Sequence, residues 1–163
     1  MVENMKKIIV KDFEKCIGCR TCETICSLSH EERVNPVEAR IAVAKYEESG
    51  WNIPTLCQKC EDPVCVAVCP TKSIKIDPAL GPEIDYSRCI GCRLCIMACP
   101  IGGVGLNPIS RKTVMCDLCG GDPKCVKVCT TQALEYQEDE NLSIEKRGEN
   151  VGRLMKFLQG VNQ

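Results

Sequence analysis

The sequence predicts an α+β protein made of two similar modules, each of small sheets and short helices, with one module nested inside the other. Three observations carry that expectation. Sixteen of the 163 residues are cysteine, and they fall into four groups of four with none left over. Heavy core side chains are scarce, with Trp 1, Tyr 3 and Phe 2, so something besides aromatics has to fill the middle of a chain this long. Strand-like stretches stand outside the first and last cysteine groups and between the middle two, as if each pair of groups closed one module.

The elements follow in order. Residues 8–10, Ile-Ile-Val, form a strand ahead of the first group, Cys16, Cys19, Cys22 and Cys26, spaced C-x2-C-x2-C-x3-C. The second group is Cys57, Cys60, Cys65 and Cys69, spaced C-x2-C-x4-C-x3-C. Strands over 73–77 and 83–85 then flank Pro78 and Gly81. The third group, Cys89, Cys92, Cys95 and Cys99, repeats the first spacing. Residues 100–105 are rich in glycine, but their spacing is wrong for a nucleotide loop, so a flexible link is expected. The fourth group is Cys116, Cys119, Cys125 and Cys129, spaced C-x2-C-x5-C-x3-C, and a strand over 132–136 closes the pattern. Beyond a short acidic run, Val151, Leu154, Met155 and Leu158 recur at helical spacing with Phe157 beside them. That stripe either packs back on its own protein or docks on a partner.

Three uses of cysteine fit poorly. Disulfide frameworks belong to short secreted chains, zinc knuckles lack a third cysteine two residues on, and a dithiol redox pair would sit beside a βαβ pattern. The C-x2-C-x2-C-x3-C run fits a [4Fe–4S] cube, whose first three thiolates hold one cluster while the fourth holds its neighbour. A loop with two residues between ligands wraps one face of the cube and turns N–H groups toward the sulfides. Pro70 and Pro100 fix the backbone after the fourth ligand, Gly18 and Gly91 allow close approach, and Ile17 and Ile90 either cover a cluster face or join the core. Sixteen thiolates make four [4Fe–4S] clusters. At −2 per oxidised cube, the formal charge of −1 becomes about −9 in the loaded protein.

Two pairings of the groups are open. In the tandem scheme the first group shares clusters with the second and the third with the fourth. In the nested scheme the second shares with the third and the first with the fourth. Groups two and three both end in Cys-Pro, whereas groups one and four end in Cys26-Ser27 and Cys129-Thr130, which favours nesting. Nesting assigns Cys57, Cys60, Cys65 and Cys99 to one cube, and Cys89, Cys92, Cys95 and Cys69 to the next. It gives Cys116, Cys119, Cys125 and Cys26 to a third, and Cys16, Cys19, Cys22 and Cys129 to the fourth. The inner module is then 49–105, the outer module 1–48 plus 106–136, and 137–163 a linker and docking helix.

The balanced charge argues against a nucleic-acid binder, and no apolar run approaches the length of a membrane span. The opening residues carry neither a signal h-region nor twin arginine, so a reducing cytoplasm is expected. His30, the only histidine, is expected at the surface or in a cap. Arg20, Arg93 and Lys127 lie near ligands and are expected to be mostly solvated, with some capacity to raise cluster potentials.

Over about residues 8–136 the chain resembles the four-cluster iron–sulfur subunits of molybdenum and tungsten oxidoreductases, of the dimethyl sulfoxide reductase and formate dehydrogenase type. The resemblance rests on the Cys57–Pro70, Cys89–Pro100 and Cys116–Cys125 motifs in combination. The size of the chain and the segment Asn35-Pro36-Val37-Glu38-Ala39-Arg40-Ile41 look closest to small subunits of tungsten aldehyde oxidoreductase and benzoyl-CoA reductase assemblies. The resemblance implies nested pairing and a linear wire between a larger catalytic subunit and a ferredoxin or flavoprotein. It implies electron transfer rather than catalysis, with self-association as a further option. Compared with larger members, group four lacks a long insertion, and no membrane anchor is expected. Two other classes make different demands. A free polyferredoxin shuttle would show a polar surface, and an iron–sulfur enzyme would need an iron left without a thiolate.

Overall fold

A computed structural model of the protein describes residues 6–10, 12–60 and 62–138. The apolar stripe expected over 151–158 lies outside the described residues. In chain order the elements are β1 (Lys6–Val10), α1 (Thr21–Glu31), β2 (Ile41–Tyr46), β3 (Trp51–Leu56), α2 (Val64–Ala67), β4 (Ile74–Asp77) and β5 (Gly81–Ile84). They continue with α3 (Leu94–Ala98), β6 (Val104–Leu106), β7 (Thr113–Met115), α4 (Lys124–Lys127) and β8 (Leu134–Glu138). The strands make four two-stranded antiparallel sheets: β1 with β8, β2 with β3, β4 with β5 and β6 with β7. Helix α1 packs against α4, and α2 against α3. Small sheets and short helices are the α+β class expected.

The strands expected around 8–10, 73–77, 83–85 and 132–136 are β1, β4, β5 and β8. The β2–β3 hairpin carries no comparable strand signal in the sequence. Pro54 sits opposite Val43 within it, and a proline is tolerated there because a two-stranded sheet leaves one edge of each strand unpaired. Residues 100–105 are more ordered than a flexible link, since Val104 begins β6 and pairs with Met115. The cause is at Gly103, whose N–H donates to Cys99 Sγ at 3.2 Å and whose Cα lies so close to Cys57 that a Cβ would stand 2.6 Å from Cys57 Cα.

The first and third cysteine groups repeat each other in backbone. Gly18 and Gly91 have φ of 65° and 69°, and Arg20 and Arg93, each just before a helix, have 59° and 64°. Gly18 also meets the expected close approach, since a Cβ would stand 2.2 Å from Asn52 Oδ1, whereas Gly91 faces open space. The left-handed turn is common to both, and only the first is also crowded.

Cysteine completes the core. Cys26, Cys57, Cys65, Cys116 and Cys125 are buried with Ile8, Ile41, Leu56, Ile74, Val104, Met115, Leu118 and Leu134 in one cluster. Polar ties hold α1 and the following turn to it. Glu23 of α1 accepts the Val43 N–H at 2.6 Å. The buried Glu38 carboxylate accepts from Arg33 Nη2 at 2.6 Å, Arg33 Nε at 2.8 Å, Asn35 Nδ2 at 2.8 Å and Asn107 Nδ2 at 3.2 Å. The Arg33 bond first, then those from Asn35 and Asn107, outweighs burial and lowers its pKa from 4.5 to about 2. A depressed carboxylate stabilises the fold above its unfolded value, and the contribution fades as pH falls from about 4.5 toward 2. Glu38→Gln is therefore expected to lower the denaturant midpoint of the loaded protein at pH 7. An unchanged midpoint would show that the carboxylate charge is not what the site uses.

Candidate metal centre

Each cysteine group is built alike. The first two thiols lie on a loop, and the third rides on the second residue of a short helix: Cys22 in α1, Cys65 in α2, Cys95 in α3 and Cys125 in α4. The fourth falls one helical turn further on. All sixteen are unpaired thiols.

Thiols from different groups converge. One cavity is lined by Cys69 together with Cys89, Cys92 and Cys95. A second is lined by Cys26 together with Cys116, Cys119 and Cys125. Cys65 lies within the electrostatic reach of Cys57, Cys60 and Cys99, and Cys22 within that of Cys16 and Cys19. Cys129 stands just past α4, which packs on α1.

These sulfurs resist ionising on their own. Burial, with smaller additions from neighbouring sulfur charge, pushes the Cys65 thiol up to about 11 and raises Cys125 further. Burial likewise takes Cys116 to about 11 and, with the Glu23 carboxylate adding, Cys22 to about 12. Four such groups facing one space need a cation to become thiolates together. Cys69 differs. Burial works against its ionisation, but donors from Ser73 and Thr71 outweigh it and bring the thiol down to about 6. The Ser73 N–H reaches Cys69 Sγ at 3.3 Å, as the Gly103 N–H reaches Cys99 Sγ at 3.2 Å, so the fourth cysteines of groups two and three each accept from the residue four further on.

One buried donor bears on what fills the second cavity. Arg40 Nε is buried and has no hydrogen-bond partner among the described residues, and Arg40 lines the cavity with Cys26, Cys116, Cys119 and Cys125. A lone buried donor beside four converging sulfurs fits an anionic metal–sulfide cluster, which supplies both the cation the thiols need and an acceptor for the guanidinium.

The surroundings of this cavity correct the expectation for His30, which is turned inward. Its Nε2–H donates to Asp117 Oδ1 at 3.1 Å and its Nδ1–H to the Cys26 carbonyl at 2.8 Å. The imidazole, the Asp117 carboxylate and the Cys119 sulfur bring their polar atoms within 4.8 Å of one another. The Asp117 bond first, then the Cys119 and Cys26 sulfurs, pushes His30 up to about 12. Arg40 pairs with the other Asp117 oxygen at 2.5 Å, and its backbone N–H reaches Cys26 Sγ at 3.2 Å. Composition could not reveal this set, because Asp117 lies 87 residues from His30; the histidine's fourth-residue spacing from Cys26 was the one signal available.

Ile17 and Ile90 are 66% and 69% exposed, so neither belongs to the core, although Ile90 borders the cavity of Cys69, Cys89, Cys92 and Cys95. Arg20 is half exposed and 4.0 Å from Glu23, and Lys127 pairs with Asp122 on the surface. Both are solvated as expected, and Arg20 and Arg93 serve chiefly as the left-handed residues that start α1 and α3.

Comparison with known proteins agrees with iron–sulfur chemistry. Residues 56–103 match the family described as 4Fe-4S dicluster domain, and residues 13–29 match 4Fe-4S binding domain. The chain is 40% identical over 98 residues to electron transport protein HydN of Escherichia coli (strain K12), covering 55% of this chain and 53% of that one. It is 43% identical over 80 residues to the polyferredoxin-like subunit of aliphatic sulfonate oxidoreductase from Pyrococcus furiosus, covering 48% and 46%. The chain spans about half the length of the curated relatives it matches. Its fold matches a chain of the active-site complex BamBC of benzoyl-CoA reductase with benzoyl-CoA, at TM-score 0.51 and 25% identity over 98% of both chains. The same complex with 1,5-dienoyl-CoA gives TM-score 0.51 and 28% identity, covering 93% of this chain and 90% of that one.

Proposed function

We propose that this chain is an electron-transfer iron–sulfur subunit holding four [4Fe–4S] clusters in the nested arrangement. Cys57, Cys60, Cys65 and Cys99 would hold one, and Cys69, Cys89, Cys92 and Cys95 its neighbour. Cys26, Cys116, Cys119 and Cys125 would hold the third, and Cys16, Cys19, Cys22 and Cys129 the fourth. When bound, such clusters accept and release single electrons at potentials tuned by charge, donors to sulfur and solvent access. The observation that carries the reading is that two cavities are each lined by three thiols of one group and one thiol of another. The chain's own residues position the sulfurs and donate N–H groups to them.

The same convergence supports an inner module over 49–105 and an outer module over 1–48 plus 106–136, with 137–163 as linker and docking segment. Packing of α2 on α3 and pairing of β4 with β5 fall within the first, and packing of α1 on α4 within the second; β8 runs two residues past 136, the β2–β3 hairpin spans the bound at 48/49, and β6 runs through that at 105/106. The partners we assign are a larger catalytic oxidoreductase subunit of tungsten or molybdenum type and a ferredoxin or flavoprotein, in a reducing cytoplasm where thiols stay available for metal. Relatives named as electron transport protein and as polyferredoxin-like oxidoreductase subunit support that role. A dedicated partner, rather than a free shuttle, is favoured by exposed apolar side chains around group three: Ile90, Leu94, Met97 and Ile101, with Met97 83% exposed. Among the described residues no helix is long and apolar enough to cross a membrane.

Anaerobically prepared protein is expected to carry about sixteen irons and as many acid-labile sulfides, at four of each per cube. Affinity capture under the same conditions is expected to bring down a larger molybdenum or tungsten protein. About four metal ions with no sulfide would overturn the cluster reading in favour of zinc.

A further inference from the structure

Lys59 lies between Cys57 and Cys60 with a φ of 51° and a side chain that is completely buried. Its stem passes Gly81, where a Cβ would stand 2.7 Å from Lys59 Cδ, so the β4–β5 hairpin makes room for it by having no side chain there. The ammonium donates to the backbone carbonyls of Cys116 and, at 3.4 Å, of Pro82. No carboxylate among the described residues pairs with it.

A buried ammonium without a counter-ion is strongly unfavourable, and two neutral carbonyls do not cancel its charge. Lys59 lies two residues from Cys57, and its ammonium ends on the carbonyl of Cys116, so it is flanked by residues of two thiol sets. Those sets are Cys57 with Cys60, Cys65 and Cys99, and Cys116 with Cys26, Cys119 and Cys125. One cation therefore stands at the seam where the inner loop meets the outer one.

We propose that Lys59 is the counter-cation shared by the two clusters at this seam, and that its charge holds both at higher reduction potentials than their ligands alone would give. The inference rests on the four-cluster reading above. The physical basis is simple. Adding an electron makes an already anionic site more negative, and a fixed positive charge in a medium of low dielectric favours that state without being screened by salt. Lys59 would thereby make the junction between modules a favourable resting place for an electron in transit.

The test is a reductive titration of the loaded protein followed by electron paramagnetic resonance, comparing wild type with Lys59→Met and Lys59→Gln. At the potential where the seam clusters of wild type are half reduced, both variants are expected to show about a tenfold lower ratio of reduced to oxidised cluster, equivalent to about 59 mV for a one-electron couple. The clusters assigned to Cys69, Cys89, Cys92 and Cys95 and to Cys16, Cys19, Cys22 and Cys129 should titrate as in wild type. Unchanged seam potentials in both loaded variants would overturn the proposal. So would wild-type behaviour in Lys59→Gln alone, which would assign the effect to the hydrogen bond rather than the charge. Failure of both variants to take up iron would assign Lys59 a space-filling role and also overturn it. A wild-type protein without the iron and sulfide complement would overturn the four-cluster reading itself, and that result is read before any variant is compared.

Discussion

Cys26→Ser should abolish or convert the cluster signal belonging to Cys116, Cys119 and Cys125, and leave the signal of Cys57, Cys60 and Cys65 intact. Cys26 is buried at 7% exposure and lines the cavity of the three group-four thiols, with the Arg40 N–H on its sulfur and His30 on its carbonyl. A serine oxygen is a harder and less easily ionised ligand, and its shorter bond moves the donor away from where the other three thiols point. The expected readouts are a loss of up to about four irons per chain and the disappearance of one resonance component. Loss of the group-two component instead would establish the tandem scheme and undo the nested assignment.

The second large effect is expected from removing metal altogether. Anaerobic chelation should abolish cooperative unfolding and most amide-exchange protection, and iron with sulfide and reductant should restore both. The reason lies in what fills the interior. Cys26, Cys57, Cys65, Cys116 and Cys125 sit in the same buried cluster as the aliphatic residues, and among the described residues no sheet has more than two strands. Two-stranded sheets are at best marginal alone. Net stability of a domain is of order 10 kcal/mol, and metal–thiolate binding energies of about the same size count directly as folding energy. A metal-free chain that keeps a sharp transition and slow exchange would show that the aliphatic residues suffice.

What the sequence revealed was its chemistry and its repeat, because both are written in local spacing. The thiol groups and the strands around residues 8–10, 73–77, 83–85 and 132–136 could be read from neighbours along the chain. What it concealed depends on partners far apart. Glu38 looks like an ordinary surface acid until Asn107 closes over it at a separation of 69 residues. Lys59 looks like one more lysine beside a cysteine until its ammonium reaches the Cys116 carbonyl, 57 residues on. The β2–β3 hairpin was hidden by Pro54, which argues against a central strand but says nothing about an edge. The β6–β7 pair is three residues on each side and includes Gly105, too short a run for alternation to register.

The pairing of Lys6–Val10 with Leu134–Glu138 also bears on biogenesis. In the nested arrangement proposed above, a nascent polypeptide leaving the ribosome would offer every thiol of the inner set once Cys99 has emerged, whereas the first group, once made, would wait for more than a hundred further codons before its companion strand exists. Iron delivered during translation would therefore mature the middle of the protein first. The early thiols would stay exposed to oxidants or to a scaffold that guards them until synthesis is nearly finished.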